Sequence, residues 1–274
     1  MKNIIVEGHR GYCAKYPENT LISFKAALEL GVDAFEFDVW LTADKVPVIM
    51  HDGNALRTCG VDRHVRDMTL EEVKQLEACY SDKFGDTYKG QGVTIPTLEE
   101  TLELATTLRP DILFGVEIKE YTEENVDLTV ALLKKYGVFD RCWFYAFNAR
   151  IIKYIKQKYN GRTMGYPDIQ MGEFEPDSYD YYEEIGLSMT FVKSELCEFY
   201  MKKGMPAHMF CADTEEVLKK NYNMPYRAQT VSVRLIERHM TYCRMLAKML
   251  IEKCQGKDAE AKAELEKLGA STGR

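Results

Sequence analysis

Three carboxylates, two histidines and two cations occupy positions where their neighbours are apolar. In "DAFEFDVW", the two-residue period of an extended strand puts Ala34, Glu36 and Asp38 on one face and Phe35, Phe37 and Val39 on the other. In "ILFGVEIKE" the same period groups Gly115, Glu117 and Lys119 against Phe114, Val116 and Ile118. Aromatic and branched faces pack on helices, which turns the carboxylate faces to the interior. Buried carboxylates are costly unless compensated. Glu36, Asp38 and Glu117, converging near strand ends, need a cation, a proton or buried water. A single hard divalent ion is the economical solution, because every donor is oxygen. The alternative is a pair of solvated antiparallel strands whose acids face water. Two such strands in one chain, one with a lysine two residues beyond its glutamate, speak against it.

Five histidines are present, so their positions carry information. His9 follows the first apolar run and His51 directly follows "VPVIM", placing both at the C-terminal ends of strands. An imidazole titrates near neutral pH, and two of them flanking a metal suggest a general acid and a general base. His64 reads as a surface residue, His208 as a satisfied core histidine, and His239 as structural or exposed. Arg10 offers a planar fork suited to two phosphate oxygens, and Lys119 offers a point charge; alternatively each neutralises a neighbouring carboxylate. Three carboxylates, one divalent ion and two cations leave such a site slightly positive, which favours a monoanionic phosphodiester over a neutral ester.

The elements that must position these groups follow from the apolar rhythm. Strands are expected near residues 4–7, 33–39, 46–50, 112–119, 141–146, 162–166, 186–192, 207–210 and 230–234. Helical patterns such as "TLISFKAALELG", "TLEETLELATTL", "EENVDLTVALLKKYG" and "ARIIKYIKQKYNG" lie between most of them. Thr69 with Glu72 and Thr97 with Glu100 match capping boxes, and Gly31, Gly137 and Gly161 stand where helices should end. Repeated strand–helix units predict a parallel sheet covered by helices. Eight units close into a (β/α)8 barrel, whose usual size is about 250 residues. An open doubly wound sheet is the alternative, disfavoured because no Gly-rich phosphate loop follows the first strand. Residues 52–96 break the rhythm: they are polar, hold one expected helix near 69–78, and read as an insertion able to cover a site. The charged C-terminal stretch reads as a long helix ending in a disordered tail at 269–274.

Length and composition bound the rest. The chain has 274 residues, 46% of them hydrophobic and 29% charged, enough for a single domain spanning 1–274. A net charge of −7 argues against nucleic-acid binding through a general basic surface. Eight cysteines without a Cys-x-x-Cys pair argue against a zinc cage. The apolar N-terminal run is too short for a secretory signal, and no stretch is long enough for a transmembrane segment. A cytoplasmic protein is the resulting expectation; the oligomeric state is left open.

"HRGYCAKYPENT", "FEFDVWLTADKVPVIMHD" and "VEIK", with "IPTLEETL" between them, resemble the glycerophosphodiester phosphodiesterase family. The resemblance runs from His9 to about Lys119. It implies a (β/α)8 TIM barrel with a small insertion after the second barrel strand, and one divalent metal ion, usually Ca2+ or Mg2+. The implied activity is hydrolysis of small-molecule glycerophosphodiesters to glycerol 3-phosphate and an alcohol. Carried over residue by residue, Glu36, Asp38 and Glu117 resemble the metal ligands, His9 and His51 the acid–base pair, and Arg10 and Lys119 the phosphate contacts. Glu18 and Asn19 match the turn motif and are expected to hold the loop. The C-terminal half resembles the family weakly, in "MFCADTEE" and "RAQTVSVRLIERH". There Phe210 and Arg234 are candidates for the leaving-group pocket, although Arg234 could equally cap the terminal helix. Two other readings remain: another phosphodiester-cleaving barrel of the lysophospholipase D or sphingomyelinase D kind, and a non-catalytic phosphodiester-binding module. Retention of both histidines and all three carboxylates argues against the latter.

Overall fold

The structure, a computed structural model, describes residues 5–188, 199–200, 202–210 and 226–231, the last group as backbone only. Each apolar run within these residues becomes a strand. In chain order they are β1 (Ile5–Gly8), β2 (Ala34–Leu41), β3 (Pro47–Ile49), β4 (Leu113–Ile118), β5 (Cys142–Tyr145), β6 (Arg162–Gly165), β7 (Glu184–Ser188), β8 (Ala207–Phe210) and β9 (Tyr226–Val231). The ring order is β1-β2-β4-β5-β6-β7-β8-β9, all parallel, and β9 pairs back onto β1 with Ile5 opposite Ala228 and Gly8 opposite Val231. This closes the expected eight-stranded barrel. β3 is the exception, since it turns back antiparallel on β2 with Val39 opposite Ile49.

Helices α1 (Leu21–Leu30), α5 (Leu98–Leu108), α6 (Glu123–Lys135) and α7 (Ala149–Tyr159) cover the outside. Their starts are set by side-chain caps. Thr20, Thr122 and Asn148 accept from the backbone N–H three residues on, and Thr97 with Glu100 forms the expected capping box. Gly31 ends α1 in the left-handed region at φ 80°. At the end of α7 the expectation is off by one: Asn160 takes the left-handed cap, and Gly161 instead keeps clear of Ile155 and Phe144. The outward faces of β2 and β4 bury Phe35, Phe37 and Phe114 completely. Phe35 stacks on Phe24 of α1 at 4.8 Å and meets Phe114 edge-on at 5.4 Å. Each such ring stabilises the fold by roughly 1.5–3 kcal/mol, and the packing leaves the opposite faces turned into the barrel.

Residues 52–96 are more structured than one helix. Besides α3 (Leu70–Lys74), with the expected Thr69–Glu72 capping box, they contain α2 (Leu56–Cys59), a 3-10 turn at Val65–Asp67 and α4 (Ser81–Phe84). Four-residue helices are too short to show a 3.6-residue period. The segment has its own buried cluster, including Ala55, Val65, Met68, Val73 and Ile95, which joins the barrel through Val48 and Met50. His64 caps the 3-10 turn and packs edge-on against Trp40 at 4.9 Å. Arg234, His239 and the tail at 269–274 lie outside the described residues, as do the distal parts of the strands expected at 186–192 and 230–234.

A polar layer crosses the barrel interior. Tyr145 donates to Glu7 Oε1 (2.9 Å) and Trp143 donates to Glu184 Oε1 (3.0 Å). His208 lies between the second oxygens of the two glutamates, with Nε2 3.3 Å from Glu7 and Nδ1 3.8 Å from Glu184. Gly115 makes room for this layer, since a Cβ there would lie 2.4 Å from Glu7 Oε1. Burial alone would lower the His208 pKa, but hydrogen bonds and charge from Glu184 and Glu7 prevail and raise it to about 9. His208 is thus the expected core histidine, held as an imidazolium. A folded-state pKa above the unfolded value of 6.5 gives stabilisation that is complete below about pH 6.5 and disappears as pH rises through 9. Urea unfolding between pH 6.5 and 9.5 should show stability falling by at most roughly 3 kcal/mol. His208→Gln should flatten that slope; an equal slope in both proteins would rule the ion layer out as its source.

Candidate active site

The site forms where β1, β2 and β4 end. Asp38 lies directly opposite Glu117 in the β2–β4 register, and Glu36 lies opposite Gly115 one inward step earlier. The three carboxylates converge, with one oxygen from each lying within 4.8 Å of the others. All three are buried. Glu36 Oε1 is buried and makes no hydrogen bond among the described residues. Burial and the charges of Asp38 and Glu117 push the Glu36 carboxyl well above the usual range. Burial likewise raises Glu117, with Asp38 adding to it and Lys119 opposing. At Asp38, burial works upward but Lys119 and Arg10 outweigh it and hold the group low. Such crowding of oxygen donors, one without a partner, fits a hard divalent cation.

The β1–α1 connection delivers the first histidine and the first guanidinium. Arg10 is in the left-handed region at φ 53° and Gly11 at φ 80°; a Cβ on Gly11 would strike Ser23 at 2.6 Å. The tight turn lets the Arg10 amide donate to Glu36 Oε2 at 3.0 Å. "PENT" then anchors the return. Thr20 donates to Pro17 O and caps α1, Asn19 donates to Asp38 Oδ2 at 2.7 Å, and Glu18 accepts from Arg10 Nη1 at 2.8 Å. Glu18 and Asn19 therefore hold the loop, as expected. His9 Nε2 lies 3.9 Å from Glu36 Oε2. Burial and the neighbouring Arg10 lower its pKa well below the ordinary imidazole value.

His51 reaches the same space from the other side because β3 reverses direction: the Met50 amide bonds Asp38 O, bringing the next residue back to the rim. Its Nδ1 lies 2.6 Å from Asp52 Oδ1. An ionised Asp52 accepts only, so Nδ1 carries the proton and Nε2 remains for exchange. Burial lowers the His51 pKa, with Asp38 and Asp52 opposing. Lys119 donates to Glu117 Oε1 at 2.6 Å and lies 3.2 Å from Asp38 Oδ1, while Arg10 Nε is 3.4 Å from Asp38 Oδ2. Both cations thus compensate carboxylates, and both also line the cavity.

That cavity has a volume of about 190 Å³, and His9, Arg10, Glu36, His51, Glu117 and Lys119 line one side of it. The other side is Tyr145, Phe147, Met164, Tyr166 and Phe210. Phe147 stacks flat on Tyr166 at 3.8 Å, and Phe210 meets Tyr166 edge-on at 5.6 Å. Of the residues anticipated from sequence, only Arg234 falls outside the description; the others converge. The aromatic wall was not anticipated apart from Phe210. Strand alternation in "CWFY" could have revealed Tyr145, which lies opposite Glu117. Asp52 and Arg57 were also missed as partners of His51 and Glu18.

The family model for the glycerophosphoryl diester phosphodiesterase family matches residues 9–235. A glycerophosphodiester phosphodiesterase of Caldanaerobacter subterraneus subsp. tengcongensis is 37% identical over 163 residues, covering 57% of this chain and 63% of that protein. One from Bacillus altitudinis is 43% identical over 112 residues, 40% of this chain and 43% of that protein. The chain thus spans less than two thirds of the length of these relatives. An Oleispira antarctica phosphodiesterase, solved in complex with the product sn-glycerol-3-phosphate, is 26% identical with a TM-score of 0.76, covering 87% of this chain and 96% of that one. A match over most of the sequence, on a closed parallel barrel, means that the chain belongs to the glycerophosphoryl diester phosphodiesterase family.

Proposed function

We propose that this chain hydrolyses glycerophosphodiesters to glycerol 3-phosphate and an alcohol, by proton transfer through His9 and His51 beside a divalent cation. The observation that carries the proposal is the convergence of two histidines, two cations, Glu36 and Glu117 on one cavity, with Asp38 clustered against those two carboxylates. Membership of the family and the product bound by the Oleispira relative support the choice of substrate. Glu36, Asp38 and Glu117 would hold the cation, Ca2+ or Mg2+, which would polarise a phosphoryl oxygen and offset negative charge. Arg10 and Lys119 would then grip the diester oxygens. His9, kept neutral by burial and Arg10, suits removal of a proton from the attacking oxygen. His51, whose Nδ1 is bonded to Asp52, is placed to deliver one to the departing alkoxide. Phe210, Phe147 and Tyr166 would bound the alcohol side and exclude water there. Among the described residues no helix is long and apolar enough to cross a membrane.

Cation binding is measurable without turnover. Ca2+ or Mg2+ should raise the unfolding temperature, since a ligand at a hundredfold its dissociation constant stabilises by about 2.7 kcal/mol. Glu36→Gln should abolish the shift, and chelation should abolish hydrolysis. Equal shifts in both proteins would remove these carboxylates from the cation site.

His9→Ala and His51→Ala should each lower kcat by roughly 10²–10⁴-fold while leaving the circular dichroism spectrum unchanged. Normal turnover in either variant would strike that histidine from the mechanism.

Arg10→Lys keeps charge but loses the planar fork. It should therefore depress kcat/KM for glycerophosphocholine, glycerophosphoethanolamine and glycerophosphoinositol by similar factors. Phe210→Ala should reorder the three. The reverse pattern would mean that the phosphate and alcohol sides have been exchanged.

A further inference from the structure

Arg57 lies outside the cavity, on α2 of the 52–96 segment, yet it is one residue removed from both halves of the chemistry. Its Nε donates to Asp52 Oδ2, the carboxylate whose other oxygen meets His51 Nδ1 at 2.6 Å. Its Nη1 and Nη2 donate to Glu18 Oε2 (3.1 Å) and Oε1 (2.8 Å). Glu18 Oε1 also accepts from Arg10 Nη1. The guanidinium lies 5.0 Å over the Tyr80 ring, which fixes its plane. Glu18 is buried, whereas the Asp52 side chain is 34% exposed and without a partner on Oδ2 would be held by His51 alone among the described residues. The segment is also tied to the β1–α1 loop by Lys83 donating to Cys13 O (2.6 Å) and Tyr88 donating to Lys15 O (2.9 Å).

We propose that Arg57 is a positioning residue, a clamp through which the 52–96 segment sets both the His51–Asp52 pair and the Glu18–Arg10 pair. By holding Asp52 Oδ2 it aims Oδ1 at His51, which keeps the proton on Nδ1 and Nε2 open to the cavity. By occupying both oxygens of Glu18 it limits the hold of Glu18 on Arg10 to one shared oxygen, so that Arg10 keeps N–H groups for a phosphate. A lysine cannot substitute, because one ammonium cannot reach both carboxylates in the geometry of a planar fork. The inference rests on the proposed proton-transfer role of His51.

The test uses the full chain with cation present and glycerophosphocholine as substrate, comparing Arg57→Ala, Arg57→Lys, Asp52→Asn, Arg57→Ala/Asp52→Asn and His51→Ala. Misplacing the acid–base pair should lower kcat about 10–100-fold in Arg57→Ala and in Arg57→Lys, with a smaller change in KM. Millimolar guanidinium should restore part of the lost kcat in Arg57→Ala, and methylammonium should not. Because Arg57 and Asp52 act in part on the same imidazole, the loss in the double variant should be smaller than the product of the two single losses. Arg57→Lys preserves the charge and serves where Arg57→Ala fails to fold. Normal kcat in Arg57→Lys, or multiplicative losses in the double variant, would overturn the clamp. Normal kcat in His51→Ala would instead overturn the proton-transfer reading on which it rests.

Discussion

Burying three carboxylates on one side of a barrel is the constraint to which the site's other features respond. Their convergence follows from register alone: Asp38 opposite Glu117 and Glu36 opposite Gly115 on adjacent parallel strands. Oxygen anions this close repel strongly away from water. The chain answers with Arg10, Lys119 and Asn19 on Asp38, and with the Arg10 amide on Glu36. Even so, Glu36 Oε1 keeps no hydrogen-bond partner among the described residues, and the Glu36 carboxyl is pushed upward. The compensation is incomplete in a specific place, between the three carboxylates, where a cation fits.

The barrel can hold this charge because its hydrophobic stabilisation is drawn from the outside. Phe24, Phe35, Phe37 and Phe114 form a continuous aromatic layer between strands and helices. Within the ring, the layer beneath the site is polar too, built from Glu7, Glu184, His208, Tyr145 and Trp143. There the negative charge is met from within the protein, by an imidazolium held between the two glutamates. At the rim the same anionic crowding is left open to a ligand. The contrast between the two layers distinguishes a self-compensated ion cluster from an uncompensated one more sharply than composition could, since both are acidic and buried.

How much of this was legible in the sequence depended on the range of the signal. Strand alternation at Glu36, Asp38 and Glu117 and the capping boxes at Thr69 and Thr97 are local patterns, and both appear in the structure. The helices α2 and α4 were not legible, because four residues carry no periodicity. The reversal of β3 was hidden because three apolar residues read alike in either direction, although His51 was still placed at a strand end. The roles of Asp52 and Arg57 were illegible for another reason. Asp52 acts through its bonds to His51 and Arg57, and Arg57 through its contact with Glu18, 39 residues away, which no spacing rule anticipates.

Through that long-range contact, a polar segment inserted in a barrel would serve the proposed catalysis without contributing a residue to the cavity. A covering loop whose only attachment was hydrophobic could slide, since its cluster around Val65, Met68 and Ile95 specifies burial rather than direction. Directional bonds from one guanidinium to two carboxylates remove that freedom at the point nearest the chemistry. The segment then acts as a brace between the first and second histidine-bearing loops, which the barrel strands alone leave to separate connections. The early strands supply charge, the late strands supply the aromatic wall, and the proposed clamp would make the insertion fix the angle between the two histidines proposed to move protons.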